Sequence, residues 1–187
     1  MPNFGGERPA ILSGIMIAAY TSPGVYGTPI SMGDSMRMLV DAQADTDEIK
    51  SDGFLAHGLT VVTHAMVEFS GGGVEFDILT VLNGESTVSS GSTPNIQETM
   101  VQRVGLDLPY FGVVGRALGE DGGDIHLGMY RCKLDKPAAY ELRQNEFVLS
   151  EFTAKAFREV LGSVDKIGRY RQHETVTAVE LTNFLSA

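Results

Sequence analysis

The chain has no tryptophan, one cysteine and only 14 lysines and arginines in 187 residues. Each shortage excludes something. A lone cysteine, Cys132, cannot close an internal disulfide, and within an apolar strand pattern it reads as a small buried hydrophobe. The few basic residues are scattered, against 24 acidic ones and a net charge of −10. A protein that grips nucleic acid through its phosphates needs clustered Lys and Arg, so that function class is disfavoured. The longest apolar run, Ile15 to Tyr20, falls far short of the roughly 20 residues that span a bilayer. No basic start precedes an apolar core at the N-terminus, so neither a signal peptide nor a membrane partner is expected. The reading is a soluble chain made in a reducing cytoplasm.

Catalytic signatures are missing too. There is no Gly-x-Ser-x-Gly elbow, no His-Glu-x-x-His, no GxxxxGK[S/T] and no telling Cys-His pair, so no catalytic residue and no cofactor is assigned and the chain is not read as an enzyme. His57, His126 and His173 lie far apart without zinc-like spacing, and no metal site is expected. Gly71-Gly72-Gly73 before a helix resembles a phosphate cradle only superficially, because no Lys-Ser/Thr follows and the helix opens with acids.

What is present is strand pattern. Hydrophobic residues make up 43% and charged residues 20%, the composition of one globular domain spanning 1–187. The centre of the pattern is Leu108 to Leu134, where two apolar arms flank Gly119, Glu120, Asp121, Gly122 and Gly123, a hairpin signal. In the second arm Ile125, Leu127 and Met129 alternate with His126, Tyr130 and Cys132. The first arm, with Tyr110, Phe111, Val113 and Val114, is apolar on both faces, and Gly112 and Gly115 mark a bulge, a bend or a close approach. An apolar strand of this kind carrying the lone Arg116 belongs in the middle of a sandwich or at a subunit contact.

Elsewhere, residues 1–8 read as an arm, Pro9 to Tyr20 as a bent strand, Thr21 to Gly33 as loop with very short extended pieces, and Met36 to Gln43 as a strand. Residues 44–54, with Asp45, Asp47, Glu48 and Asp52 beside Lys50, read as an acidic loop or hairpin tip, since an EF-hand's ordered ligands and flanking helices are missing. Gly58 to Ser70 is the clearest strand, with Val61, Thr63, Ala65, Val67 and Phe69 on one face and a partly buried His64 on the other. Val74, Ile78, Val81 and Leu82 change to helical spacing, with acids in the first turn and Asn83-Gly84 as a stop, giving one short helix over about 74–83. Glu85 to Pro94 reads as loop, Ile96 to Leu106 as a strand leading into the hairpin, and Ala139 to Leu142 as a short strand. Glu146 to Leu161 fits helix or strand by local pattern. Gly162 to Arg171 reads as a basic loop, and Thr175 to Leu185 as an extended end. The sum is mainly β: an antiparallel β-sandwich or barrel with one short flanking helix.

The runs Tyr110-Phe111-Gly112-Val113-Val114-Gly115-Arg116-Ala117, Gly122-Gly123-Asp124-Ile125-His126-Leu127 and Tyr130-Arg131-Cys132-Lys133-Leu134 resemble a segment of the tail tube (major tail) proteins of long-tailed bacteriophages. The likeness is densest over these 27 residues and extends weakly to the order of elements. It implies a β-sandwich with a flanking helix, a strand at 150–161, and stacked hexameric rings whose sheets merge into a barrel that conducts DNA without binding it specifically. It marks Tyr110, Phe111, Gly112, Gly115, Arg116, Gly122 and Gly123 as a fold or assembly motif. Its implied partners are further copies of this chain and the tail-tip, tape-measure and tail-terminator proteins, with the virion tail as location. Six copies, each of net charge −10, would carry −60, which repels phosphates and lets DNA slide. The resemblance also makes Asp45, Asp47, Glu48, Lys50 and Asp52 candidates to meet Lys166, Arg169 and Arg171 of an adjoining ring. The other class compatible with the pattern is a small-ligand or carbohydrate-binding β-barrel or sandwich module, which wants exposed aromatics around a concave face; without tryptophan and with six tyrosines it has little to build one from.

Overall fold

The computed structural model describes residues 10–51, 54–72, 76–101, 103–119, 122–138, 149–173 and 184–185. The chain opens with β1 (Ala10–Ser22), β2 (Val25–Tyr26) and β3 (Ile30–Met32), followed by the long β4 (Ser35–Ser51) and β5 (Phe54–Gly72). Helix α1 (Phe76–Asn83) separates these from β6 (Thr87–Ser90), β7 (Gln97–Met100), β8 (Phe111–Gly119) and β9 (Asp124–Leu134). The rest is β10 (Leu149–Phe157), β11 (Glu159–Leu161), β12 (Val164–Lys166) and β13 (Gly168–His173). The fold is mainly β, antiparallel and sandwich-like, with one short helix among the described residues.

The main sheet runs β2-β1-β8-β9-β10-β5-β4, with β3 added to β1 and β13 added to β9. β8 lies between β1 and β9 and is buried on both faces from Phe111 to Gly115. On one face Ile15, Ile17, Phe111, Val113 and Met129 join Val67, Phe69, Phe152 and the helix residues Ile78, Leu79 and Leu82 in the principal core. On the other, Ala18, Val114 and Tyr130 pack with Phe184 and Leu185. This is the central-strand alternative left open by the two apolar faces of β8.

Two register shifts set how β8 meets β1 and β9. In β1 the register skips Ser13, between Leu12↔Ala117 and Gly14↔Arg116; the Ser13 Oγ accepts from Arg116 Nε at 2.8 Å. In β9 the register moves from Val113↔Met129 to Phe111↔Cys132, so one extra residue sits in β9 and the alternation changes phase. Cys132 therefore lies with Met129 in the principal core, not with Tyr130 as unbroken alternation requires. β9 also changes partner here. Asp124 to Met129 pairs with β13, whereas Arg131 to Leu134 pairs with β10.

Several expectations are corrected. Of the loop and hairpin-tip alternatives, the acidic segment is the outer part of a hairpin and is strand as far as Ser51, because β4 stays paired with β5 up to Ser51↔Phe54; Asp52 lies outside the described residues. The basic stretch 162–171 is mostly strand, turning at Gly162 and Ser163 and bending at Ile167, with Lys166 opposite Glu159 in β11–β12 and Arg169 and Arg171 on β13. The described residues of 96–106 hold only the short β7, paired with β6 in a sheet of its own, and 85–94 contains that β6. The triple glycine does not end its strand at Ser70, since β5 runs through Gly72. β10 and β11 make the 149–161 region strand, as the resemblance implied. The readings for 1–8, 139–142 and most of 175–185 lie outside the described residues; the two described at that end, Phe184 and Leu185, are helical and not extended. No helix among the described residues is long and apolar enough to cross a membrane.

Candidate functional site

Each residue of the Tyr110–Gly123 motif has a task inside the chain. The Tyr110 ring is flanked by the Arg131 guanidinium and the Lys133 ammonium, each 5.2 Å from its centroid. Phe111 packs edge-on against Phe69 with 6.1 Å between centroids. Gly112 and Gly115 are close approaches, to side chains and not to backbone: a Cβ on Gly112 would lie 2.6 Å from the Tyr26 ring, and one on Gly115 would collide with the Met38 sulfur. Gly122 has φ +84°, a left-handed conformation that suits glycine, and Gly123 O accepts from Gly119 N at 2.9 Å to close the turn.

The candidate contact residues divide into two places. Asp45, Asp47, Glu48 and Lys50 lie along the outer part of β4, opposite Val61, Leu59, Gly58 and Leu55. Beyond Ala65 this part of β5 loses β10, which pairs only with Ala65 to Gly72. Residues 44–51 and 54–64 thus form a two-stranded arm with both outer edges free among the described strands. Leu59, Val61 and Val62 on it are half exposed. Across a groove of about 740 Å³ from Val61 and Val62 lie Arg158, Asp165, Ile167 and Tyr170. Tyr170 is its one aromatic lining residue among the described residues and is well exposed.

The basic residues are less free. Arg169 Nη1 donates to Phe184 O at 2.9 Å, and the guanidinium groups of Arg169 and Arg171 lie 5.8 and 5.2 Å from the Phe184 ring. Phe184 itself covers Gly128, where an added Cβ would sit 2.6 Å from its ring. Lys166, on the short β12, is partly exposed.

Beside Phe184 the fold assembles a cluster that spacing alone did not reveal. β9 and β13 pair with Asp124↔His173 and His126↔Arg171, so cross-strand pairing and the period of two place Asp124, His126 and His173 on one face. Asp124 Oδ1 is 2.7 Å from His173 Nδ1 and Oδ2 is 3.1 Å from His126 Nε2. The Asp124 and His126 side chains are almost wholly buried, while the His173 side chain is 25% exposed. Burial pushes the His126 imidazole below its ordinary pKa, against the pull of the Asp124 carboxylate; His173 and Arg116 push the same way as burial. The sequence signal, Asp-x-His at a strand start, becomes informative only once the β13 register supplies the second histidine.

Cys132 is fully buried and burial pushes its thiol up, which suits a packing residue and not a nucleophile. A buried polar group lies nearby: Tyr20 donates to Glu159 Oε2 at 2.8 Å, with Arg131 Nε 3.7 Å from the same oxygen.

No family model matches this chain. No curated protein matches it either. Among solved structures, a chain of the cryo-EM structure of the anti-feeding prophage baseplate, 6-fold symmetrised, is similar at 9% identity and TM-score 0.44, over 88% of this chain and 97% of that one. Superposition at that level assigns neither a shared assembly nor a shared partner. A functional reading therefore rests on the geometry of the arm and of the β9–β13 seam.

Proposed function

We propose that this chain is a structural virion protein that self-assembles through its sheet edges into stacked rings forming a phage tail tube. The observation that carries the reading is the arm at 44–64. An isolated two-stranded ribbon is marginally stable in water, and free strand edges bearing half-exposed valines invite another chain. Eleven residues of β5, Phe54 to His64, extend beyond β10, about 35 Å at roughly 3.3 Å per residue. That reach suits contact with a neighbouring copy. The sequence resemblance over Leu108 to Leu134 names the same kind of assembly, and the net charge of −10 suits a passage that does not hold DNA.

In this reading the acidic outer part of β4 meets a neighbour's basic residues. Lys166 is the freer basic candidate, because Arg169 and Arg171 already hold Phe184. The partners would be further copies, then tail-tip, tape-measure and tail-terminator proteins. The test is negative-stain electron microscopy with light scattering across concentrations. Wild-type protein should form rings or hollow tubes of uniform width, and Val61→Lys with Val62→Lys should remain monomeric with an unchanged circular dichroism spectrum. A monomer at all concentrations, with tip components added, would overturn the proposal, as would normal tubes from the double variant.

A further inference from the structure

We propose that Asp124, His126 and His173 form a binding site for a divalent first-row transition metal, with zinc the ion best suited to the donors, which clamps β9 to β13. The site lies within one chain and goes beyond the assembly reading; it stands or falls without it.

The donor atoms of the three residues all lie within 4.8 Å of one another. Four ligands at about 2.0–2.2 Å around tetrahedral zinc stand roughly 3.3 Å apart, so the Asp124–imidazole distances of 2.7 and 3.1 Å have to open slightly and the donor separations, at most 4.8 Å, have to close by no more than about 1.5 Å. Two imidazoles and one carboxylate with a remaining position for water is a recurrent zinc set. The open position is available because the His173 side chain is 25% exposed while the Asp124 and His126 side chains are almost wholly buried. The backbone ladder on both sides of β9 holds the donors in place, since Asp124 and His126 also pair with Leu118 and Arg116 of β8. Two cations are near and oppose an added charge. Arg116 is tied to Ser13 through its Nε at 2.8 Å, and the Arg171 guanidinium is held 5.2 Å from the Phe184 ring centroid; Asp124 supplies the compensating negative charge. Binding requires the ring nitrogens facing Asp124 to be unprotonated, so the imidazoles bind as neutral ligands with their protons on the opposite nitrogens.

The alternative is a hydrogen-bonded cluster only, with Asp124 accepting from both rings. Calorimetric titration of the chelator-treated full chain with zinc chloride separates the two. The expected result is one zinc per chain, a raised thermal midpoint with zinc, and visible d–d bands of low-coordinate Co²⁺ when cobalt is the probe. His173→Ala should lose at least about tenfold in affinity together with the cobalt bands, and His173→Gln serves where the alanine variant is unfolded. His64→Ala, on β5 away from the cluster, should bind as wild type. No binding by the wild type, undiminished zinc affinity in either folded His173 variant, or a cobalt spectrum of the six-coordinate aquo ion alone would each overturn the site.

Discussion

Gly112 sits where the Tyr26 ring and Leu185 close over β8, both within 3 Å of the place a Cβ would occupy. Gly112→Ala forces one of these side chains out of a packed layer, and overpacking of this kind costs about 1–3 kcal/mol. The expected outcome is an unfolding free energy, read from urea titration, lowered by that amount. Gly14→Ala, where a Cβ meets nothing within 4 Å, should change it far less. Tyr26 gives a second residue-scale prediction. Its hydroxyl donates to Tyr130 O at 3.0 Å, and burial first, then the charge of Glu159, pushes its pKa well above 10.0. A phenol that stays protonated in the folded chain while the unfolded chain ionises contributes stability that is intact below pH 10.0 and is lost as pH rises beyond it. Tyr26→Phe should therefore cost about 1 kcal/mol at neutral pH and flatten the alkaline decline, read from unfolding midpoints between neutral pH and the tyrosine range. An unchanged alkaline slope in the variant would assign that decline to other groups.

At the scale of elements, the arm and the body separate cleanly. Gln43 pairs with His64, and the buried part of β5 begins at Ala65. Replacing 44–63 by Asn-Gly, the two-residue turn suited to an antiparallel hairpin, should leave a cooperatively folded monomer with a similar thermal midpoint and abolish ring formation. Loss of folding would instead make the arm part of the body. Sequence pattern found β1, β5, the β8–β9 hairpin and α1 because each has a buried face with a clear period. It missed where strands lacked such a face. Residues 44–51, 164–166 and 168–171 are charged at alternate or adjacent positions, and what makes them strands is a partner, β5, β11 or β9 respectively, that the local pattern does not show. The β9 bulge was equally invisible: one inserted residue moves Cys132 to the other face, and nothing in Tyr130-Arg131-Cys132 announces it. The Asp124–His126–His173 cluster failed to show for the same reason, since it depends on the β13 register.

For the whole molecule, charge and shape pull against each other. The arm offers edges that favour association, while every added copy brings another net charge of −10. Fixed repulsion between acidic subunits falls with ionic strength: the screening length shrinks from about 30 Å at about 0.01 M salt to about 3 Å at about 1 M. Apolar and backbone edge contacts are much less affected by simple salt. Ring or tube formation by the wild type should therefore shift to lower protein concentration as sodium chloride rises across that range, followed by light scattering and confirmed by electron microscopy. Were paired charges between the outer part of β4 and Lys166 the main adhesive, the shift would run to higher protein concentration, because screening weakens attraction as well as repulsion. The sign of the salt dependence thus decides whether the acidic outer part of β4 drives association or opposes it, and Lys166→Glu should weaken assembly strongly only where added salt weakens it too.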